Sequence, residues 1–371
     1  MTSLIYGTLR YELALDACLE PYLKRPDKLP LEVRDALRLG AYEILYRETP
    51  RRAAVNEWVE VVKRRSKKLS GLVNAVLRKV DHRELPLATR YGVPDWLFAE
   101  WHNLFGAQRA EEVAKGMLKS EPLWLTSYHP QATHALIEEG CEVSLGKVDG
   151  TLAVRLSKPL AELSAYQRGW VQPQNPASTL PVRLLEAERG ERVLDLASGN
   201  GIKAAQLAAA GAQPLSVELH ADKLKRAEKN LARLGFEVEG LEFDLRGVPE
   251  VTPAKKVLLD APCTGTGTLR GNPELRTKVT PESVTELAAL QRELLATAAK
   301  LTAPGGILVY AVCALTYEEG QGMTEWFLAN HSDFSAESFL FDLPAENTST
   351  GSYILPLDGL DGFYIARFRR R

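Results

Sequence analysis

Two of the four cysteines follow apolar runs that are typical of buried strands, and a thiol at a strand end can act as a nucleophile. Cys263 follows the run at 256–260, and Cys313 ends the run at 307–313. Because neighbouring parallel strands open at the same edge of a sheet, we expect both thiols over one cleft. A Cys313 thiolate could add to carbon 6 of a cytosine, so that carbon 5 can accept a methyl group from a sulfonium donor. Cys18 and Cys141 lack such neighbours, and we expect them to be small buried apolar residues.

The residues around the two thiols could complete this reaction. Asp260 lies three residues before Cys263, where its carboxyl group could relieve the charge that develops at N3 of the ring. After methyl transfer the proton on carbon 5 must leave so that the enzyme can be eliminated, and Cys263 could assist that release. A base inside a helix is out of reach, so the target cytosine must be unpaired or flipped out.

A glycine turn after a predicted strand could hold the methyl donor. Gly199 and Gly201 allow the backbone to approach a ligand closely, and the helix predicted after them offers free N–H groups to a carboxylate. Glu218 could accept both ribose hydroxyls, and Asp244 could take an adenine amine. Acidic residues thus lie at or near the ends of four successive predicted strands: Asp195, Glu218, Asp244 and Asp260. Two other interpretations stay open: a dinucleotide site, in which Ala204 would replace the third glycine, and carboxylates that cap nearby helices.

These residues fall in the last of three predicted modules. From residue 166 onward, apolar runs alternate with helical patterns, which predicts a parallel sheet with helices on both faces. The predicted strands are 192–196, 215–218, 241–244, 256–260, 307–313 and 362–368, and the predicted helices are 203–210, 222–234 and 290–301. Residues 1–80 show helical spacing interrupted by prolines and predict an all-α domain. Residues 81–165 predict a small mixed α/β module, and residues 166–371 form the sheet domain.

Charge and composition indicate a globular protein with a basic N-terminal module. The chain carries a net charge of −2 at pH 7, yet residues 1–80 hold 16 Lys and Arg against 10 Asp and Glu. The basic run from Lys63 to Lys68 suits contacts with phosphates, although a solvated helix end explains it equally well. The sequence predicts no signal peptide and no membrane-spanning helix. The cysteines lack zinc-ligand spacing, so no metal site is predicted. We expect a cytoplasmic monomer with reduced thiols that does not bind membranes.

The motifs around both cysteines resemble those of the RsmB/Nop2/Sun family of RNA 5-methylcytosine methyltransferases, and the resemblance covers nearly the whole chain. Asp-Ala-Pro-Cys at 260–263 is similar to the family's fourth motif. Tyr-Ala-Val-Cys at 310–313, followed by two glutamates at 318–319, is similar to its sixth motif, whose cysteine is the nucleophile. Segments 39–46 and 71–78 resemble the NusB-like RNA-binding domain, which marks the bacterial branch that modifies small-subunit (16S) ribosomal RNA.

This resemblance implies a multidomain chain with an all-α NusB-like domain, a small α/β linker module and a Rossmann-like class I methyltransferase domain. It implies S-adenosyl-L-methionine as the cofactor and RNA, with small-subunit ribosomal RNA expected, as the partner. Cys313, Cys263 and Asp260 would be the catalytic residues. The residues expected to bind the cofactor are Asp195, Ala197, Ser198, Gly199, Asn200, Gly201, Ile202, Lys203, Glu218, Asp244 and Asp260. The chain differs from the family in its first motif, at 197–203, and in Val312 and Ala314, which flank the nucleophile in place of Thr and Ser.

Two other functions remain open. A methyltransferase for an exocyclic nitrogen or for protein needs no thiol, but it commonly carries a polar-Pro-Pro-aromatic fourth motif that this chain lacks. A non-catalytic RNA-binding protein would act through residues 1–80, and the altered residues beside Cys313 suggest it. An N-methylated product would indicate the first function, and failure to bind S-adenosylmethionine would indicate the second.

Overall fold

The computed structural model describes residues 2–371, and the described chain divides into two compact units. The first unit comprises the chain up to Lys119 together with Leu269–Lys278, and the second comprises Ser120–Thr268 and Val279–Arg371. The module boundaries predicted at residues 80 and 165 do not coincide with this division, and the three-module organisation stays a prediction. The units are defined by contacts in the folded chain and not by sequence order. A short segment from the second half of the chain therefore belongs to the first unit.

Helices occur in both units, whereas the strands of the described chain lie in the second. The helices are α1 (Thr2–Arg10), α2 (Glu12–Leu19), α3 (Leu31–Tyr46), α4 (Arg51–Arg65), α5 (Lys67–Leu77), α6 (Leu87–Arg90), α7 (Asp95–Gly116), α8 (Ala132–Glu138), α9 (Ser164–Gln167), α10 (Pro176–Leu185), α11 (Ile202–Ala209), α12 (Ala221–Leu234), α13 (Leu275–Lys278), α14 (Pro281–Leu301) and α15 (Gln321–Asn330). The strands are β1 (Leu123–Ser127), β2 (Glu142–Leu145), β3 (Thr151–Arg155), β4 (Val171–Pro173), β5 (Arg192–Leu196), β6 (Gln213–Glu218), β7 (Glu239–Glu242), β8 (Ala254–Asp260), β9 (Thr302–Val312), β10 (Phe334–Ala336), β11 (Ala345–Asn347), β12 (Ser352–Ile354) and β13 (Phe363–Arg370). Among residues 2–371, no helix combines the length and the apolar character that a membrane span requires.

The first unit is all-helical, because prolines separate helices whose apolar residues share one face. Pro30 directly precedes α3 and Pro50 directly precedes α4, where the missing N–H of proline is tolerated. Val33, Leu37 and Ala41 follow helical spacing on α3 and are buried in the core of this unit. The helical fold predicted for the N-terminal part of the chain is confirmed.

A small antiparallel sheet opens the second unit, with the strand order β2-β3-β1-β4. Leu125, Val154 and Val171 from three of its strands are buried in one core with Leu136 of α8. β4 lies beyond the boundary predicted at residue 165, because its hydrogen-bonding partner is β1. Strand pairing therefore assigns this segment to the small sheet.

A nine-stranded sheet forms the body of the second unit, in the order β11-β12-β13-β9-β8-β5-β6-β7, with β10 paired to β13. Val193, Leu258 and Val309 from its central strands are fully buried in a core shared with α10. β5 to β9 run parallel, as the alternation of strands and helices predicts. The last strand departs from the predicted parallel sheet, since β13 lies antiparallel to β9. The chain reaches β13 through the antiparallel pair β11–β12 rather than through a crossover helix, and such a connection reverses strand direction.

The order of the parallel strands creates a ligand-binding edge between β5 and β8. The chain proceeds from β5 to β6 and β7 on one side and then places β8 on the other side of β5. Ligands bind at such a switch point, outside the carboxyl ends of the strands. Glu218 ends β6, Asp260 ends β8, and Cys313 directly follows β9, so all three belong to this edge. β7 ends at Glu242 rather than at the predicted residue 244, which leaves Asp244 in the loop that follows.

α14 begins nine residues earlier than the predicted start at residue 290. Its first turn is a capping box, in which Ser283 N donates to Thr280 Oγ1 at 3.3 Å and Thr280 N donates to Ser283 Oγ at 3.0 Å. Pro281 occupies the first helical position, which is the position that proline favours. The cap and the proline were visible in the sequence and would have extended the predicted helix.

Candidate active site

The turn between β5 and α11 has a backbone conformation that favours glycine. Gly199 and Gly201 have φ angles of 58° and 73°, and Ala197 adopts 57°. Such values cost a residue with a Cβ roughly 1–2 kcal/mol. A Cβ on Gly201 would also lie 2.9 Å from the Cβ of Ala227 on α12, so the close packing of α12 requires glycine there. At the carboxyl end of β5, the turn therefore exposes backbone that no glycine side chain covers.

Two of the predicted carboxylates are held by nearby groups. Glu218 is buried, and its Oε2 accepts a hydrogen bond from the N–H of Gly199 at 2.9 Å, while Oε1 accepts from the N–H of His220 at 3.1 Å. This arrangement ties the end of β6 to the glycine turn. Asp244 accepts from Arg246 Nε at 2.9 Å, and this guanidinium lowers the pKa of the carboxyl group. Both acids are therefore placed as hydrogen-bond acceptors beside the switch point.

Asp195 differs from the other acids because no described residue pairs with its carboxyl group. It is the fourth residue of β5 and is fully buried, and neither carboxyl oxygen has a hydrogen-bond partner among the described residues. Burial raises the pKa of Asp195 to about 7, although the charge of Lys203 opposes that effect. The hydroxyl of Ser198 is likewise buried without a partner among the described residues. Two unpartnered polar groups at one strand end are what a polar ligand would satisfy.

Lys203 on α11 forms an ion pair with Asp260 at the end of β8. Its Nζ also lies 3.2 Å from Ser178 Oγ and 5.8 Å from the centroid of the Phe363 ring. The lysine is nearly buried, whereas the aspartate is 31% exposed on its side chain. Lys203 was predicted to bind the cofactor, and the structure places its ammonium group on the predicted catalytic carboxylate.

Two adjoining clefts lie at this edge. One, of about 510 Å³, is lined by Glu218, Asp244 and apolar side chains, and the other, of about 290 Å³, is lined by Asp195 and Lys203. They share Ala197, Gly199 and Asp260. Of the residues predicted to bind the cofactor, all but Gly201 line one of these clefts. Gly201 acts through the backbone conformation of the turn instead.

The clefts also contain residues that the sequence patterns did not reveal. Phe243, Leu290 and Leu294 supply apolar walls to the larger cleft, and Gln174 and Ser178 line the smaller one. Phe243 directly follows β7, and this position after a strand could have identified it. The leucines belong to a helix that was predicted, but nothing in their spacing shows which side chains of that helix face a ligand.

Cys263 and Cys313 meet as predicted from the two adjacent strands that precede them. Their sulfur atoms lie 3.2 Å apart, and both residues are partly exposed and free of disulfides. Contact with Cys313 and burial raise the pKa of the Cys263 thiol well above its usual range. The loops are closely packed, because Gly267 N donates to the carbonyl of Cys313 at 2.9 Å and a Cβ on Gly267 would lie 2.0 Å from the carbonyl of Gly362. Only glycine fits at that position.

A glycine turn after β5, carboxylates at successive strand ends and a double cleft at the switch point suit a nucleoside-containing cofactor. Together with the family match, the sheet and this site define a methyltransferase domain. The chain belongs to the 16S rRNA methyltransferase family RsmB/F, whose profile matches residues 182–369. The NusB family profile matches residues 1–82. The unpaired buried carboxyl group of Asp195 and the apolar walls of the larger cleft fit a cofactor that carries both a cationic amine and an adenine ring.

Similar proteins support the family assignment. Ribosomal RNA small subunit methyltransferase B from Thermus thermophilus is 46% identical over 100% of this chain and 88% of its own length. A probable enzyme of the same name from Bacillus subtilis is 31% identical over 100% of this chain and 90% of its own length. The crystal structure of PH0851 is 26% identical, with a TM-score of 0.86 over 100% of this chain and 89% of that one. NSun6 from Pyrococcus horikoshii, solved with SFG, an analogue of S-adenosylmethionine, has a TM-score of 0.66 at 21% identity over 75% of this chain and 98% of that one, which shows the fold alone.

Proposed function

We propose that this protein transfers a methyl group to carbon 5 of a cytosine in small-subunit ribosomal RNA through a covalent bond between Cys313 and carbon 6 of the ring. The observation that carries the proposal is the 3.2 Å separation of the Cys263 and Cys313 sulfur atoms at the ends of neighbouring parallel strands. A methyltransferase that acts on nitrogen needs no thiol, whereas two thiols in contact beyond the ends of β8 and β9 suit nucleophilic catalysis on a ring carbon. The names of the curated relatives support ribosomal RNA as the substrate.

The residues around the clefts would hold the cofactor in one orientation. S-adenosylmethionine supplies the electrophilic methyl group. The carboxylate of Asp195 would take the cationic amine, and the first N–H groups of α11 would take the carboxylate. Glu218 would accept the ribose hydroxyls, Asp244 the adenine amine, and Leu290 and Leu294 would cover the ring. The donor would therefore span both clefts.

The first step joins the Cys313 sulfur to carbon 6 and shifts the ring electrons toward N3 and carbon 5. Lys203 and Asp260 are paired and can act together here, since the ammonium proton lies beside the carboxylate. A hydrogen bond or a proton from this pair to N3 would stabilise the negative charge that the attack creates. Carbon 5 would then take the methyl group from the donor, whose bond between that methyl group and sulfur would break to leave S-adenosylhomocysteine.

The second step breaks the bond between sulfur and carbon 6. The proton on carbon 5 leaves to a base, the electron pair restores the ring double bond, and Cys313 departs as a thiolate. Cys263 lies 3.2 Å from that sulfur, and its raised pKa keeps a proton on it. We propose that this thiol donates a hydrogen bond to the departing sulfur and thereby assists release of the methylated RNA.

The first unit would bind the RNA. The basic run lies at the junction of two helices, because α4 ends at Arg65 and α5 begins at Lys67, and most of its side chains are exposed. Lys63 pairs with Glu60 at 2.8 Å, which leaves the remaining cations of the run for phosphates.

The test incubates the protein with labelled S-adenosylmethionine and unmodified small-subunit ribosomal RNA. We expect 5-methylcytosine from the wild type, no product from Cys313→Ala, and a covalent protein–RNA complex from Cys263→Ala that survives a denaturing gel. Cys141→Ala, which alters a buried thiol in the core of the small antiparallel sheet, should methylate at the wild-type rate. Full activity in Cys313→Ala, or an N-methylated base in the product, would overturn the proposal.

A further inference from the structure

A buried carboxylate lies next to the loops that carry the two cysteines. Glu319 is fully buried, and its Oε1 accepts hydrogen bonds from Thr264 N at 2.8 Å and from Gln291 Nε2 at 3.0 Å. Its Oε2 accepts from Thr264 Oγ1 at 2.6 Å and from Thr316 Oγ1 at 3.0 Å. These four donors are neutral, so hydrogen bonds take the place of a counter-ion.

The four bonds join elements that come from separate parts of the chain. Thr264 directly follows Cys263 in the loop after β8, and Thr316 lies three residues after Cys313 in the loop after β9. Gln291 belongs to α14. The Glu319 side chain is thus hydrogen-bonded to the loops of both cysteines and to a long helix.

Further hydrogen bonds among Gln291, Tyr310 and the backbone surround the Glu319 carboxylate. Gln291 Nε2 also donates to the carbonyl of Pro262 at 2.9 Å. The hydroxyl of Tyr310 lies 3.1 Å from Gln291 Oε1 and 2.8 Å from the carbonyl of Glu319. Since Gln291 and Tyr310 are fully buried as well, a change at Glu319 leaves donors that water cannot easily satisfy.

The charge of this carboxylate acts on one thiol. Cys263 adjoins Thr264, and the negative charge of Glu319 adds to the contact with Cys313 and to burial in raising the pKa of Cys263. Tyr310 and Tyr364 are ionisable groups near this cluster, and burial raises the pKa of both hydroxyls, so these two side chains stay neutral. Burial also raises the pKa of Glu319, whereas its four hydrogen bonds favour the ionised form.

We infer that Glu319 is a positioning residue that divides the roles of the two thiols. It holds the loop of Cys263 against that of Cys313 and keeps the proton on Cys263, so that Cys313 is the nucleophile and Cys263 the donor in release. The inference rests on the proposed cysteine chemistry and adds to it the group that distinguishes two thiols in contact.

The test compares Glu319→Gln, which keeps the shape of the side chain and removes its charge, with Glu319→Ala, which removes both. Alkylation by iodoacetamide is followed for each cysteine by mass spectrometry across pH 6–9. We expect Cys263 in Glu319→Gln to react about threefold faster at pH 8 than in the wild type, because loss of a neighbouring anion favours its thiolate. We expect kcat for RNA methylation to fall at least about tenfold in Glu319→Ala and less in Glu319→Gln.

Glu318→Gln is the matched control, since the neighbouring glutamate is exposed and carries the same charge. It should leave both measurements at their wild-type values. A wild-type alkylation profile for Cys263 in Glu319→Gln would overturn the inference, and so would wild-type turnover in Glu319→Ala. In Glu319→Gln the amide oxygen can still accept from Thr264 N and Gln291 Nε2, and the amide NH2 can donate to the two threonine hydroxyls. We therefore expect this variant to fold, and it decides the question even if the alanine variant is unstable. Failure of the wild type to methylate cytosine would refute the proposed function. The alkylation measurement needs no RNA, so it tests the role of Glu319 independently of that result.

Discussion

Asp195 offers a direct test of whether a residue of this site lowers the free energy of unfolding while it strengthens ligand binding. Its carboxyl group is fully buried and has no hydrogen-bond partner among the described residues. The isosteric change Asp195→Asn removes the charge and keeps the shape. We expect this variant to be more stable than the wild type at pH 8 and to bind S-adenosylmethionine at least about tenfold more weakly, because the amide cannot balance a cationic amine.

The size of the effect follows from the pKa of the folded protein. Burial raises the pKa of Asp195 from 3.8 to about 7. Since each pH unit corresponds to about 1.4 kcal/mol, ionising this buried group destabilises the fold by up to about 4 kcal/mol above pH 7. The amide adds unsatisfied donors that cost about 1–3 kcal/mol, so the net gain should be about 1–3 kcal/mol.

The pH dependence separates this explanation from a packing effect. A carboxyl group whose pKa is raised by folding binds more protons in the native state, so the wild type loses stability as pH rises from about 4 to 7 and no further above that. Between pH 5 and pH 8, the advantage of Asp195→Asn should therefore grow by about 2–3 kcal/mol. Taking the difference between the two proteins cancels the other titrating groups.

Urea unfolding at pH 5, 6, 7 and 8, followed by tryptophan fluorescence, measures this difference. Asp244→Asn is the control, because that partly exposed carboxylate pairs with Arg246, which lowers the pKa of the carboxyl group. It should show no gain in stability at any of these pH values. A pH-independent difference for Asp195→Asn, or no gain at pH 8, would refute the reasoning.

Two further predictions concern the cations. Lys203→Met should destabilise the second unit by about 2–4 kcal/mol, because it leaves Asp260 without its partner in a nearly buried pair. Lys223→Met, whose pair with Glu218 leaves the lysine 40% exposed, should cost less than about 1 kcal/mol, and equal urea midpoints for the two variants would contradict this. Replacing the cations of the 63–68 run by glutamine should weaken RNA binding and reduce the slope of log K against log salt by roughly 0.7–0.9 for each phosphate that the variant no longer neutralises. An unchanged slope between 50 and 200 mM salt would mean that the run is only a solvated surface.

Much of the candidate site could be predicted because its residues are local features of the chain. The glycine turn and Cys263 each closely follow an apolar run that predicts a strand. Residues that follow a parallel strand lie at the carboxyl edge of the sheet, so their location could be predicted as well. Neighbouring parallel strands then bring Cys263 and Cys313 together, and the structure shows them in contact. Asp244 lies beyond its strand rather than in it, since the alternation of side chains marks the middle of a strand better than its end.

Residue patterns along the chain therefore suffice for the alternation of strands and helices and for the helical character of the N-terminal part. Only the folded chain shows which groups pair with one another. The ion pair of Lys203 with Asp260 joins residues 57 positions apart, and the bond of Thr264 to Glu319 joins residues 55 apart. The antiparallel direction of β13 and the absence of a partner for Asp195 within the described chain likewise follow from folding. Such contacts depend on how distant segments pack, and hydrophobic periodicity, which reports only the buried face of each segment, carries no information about its neighbours.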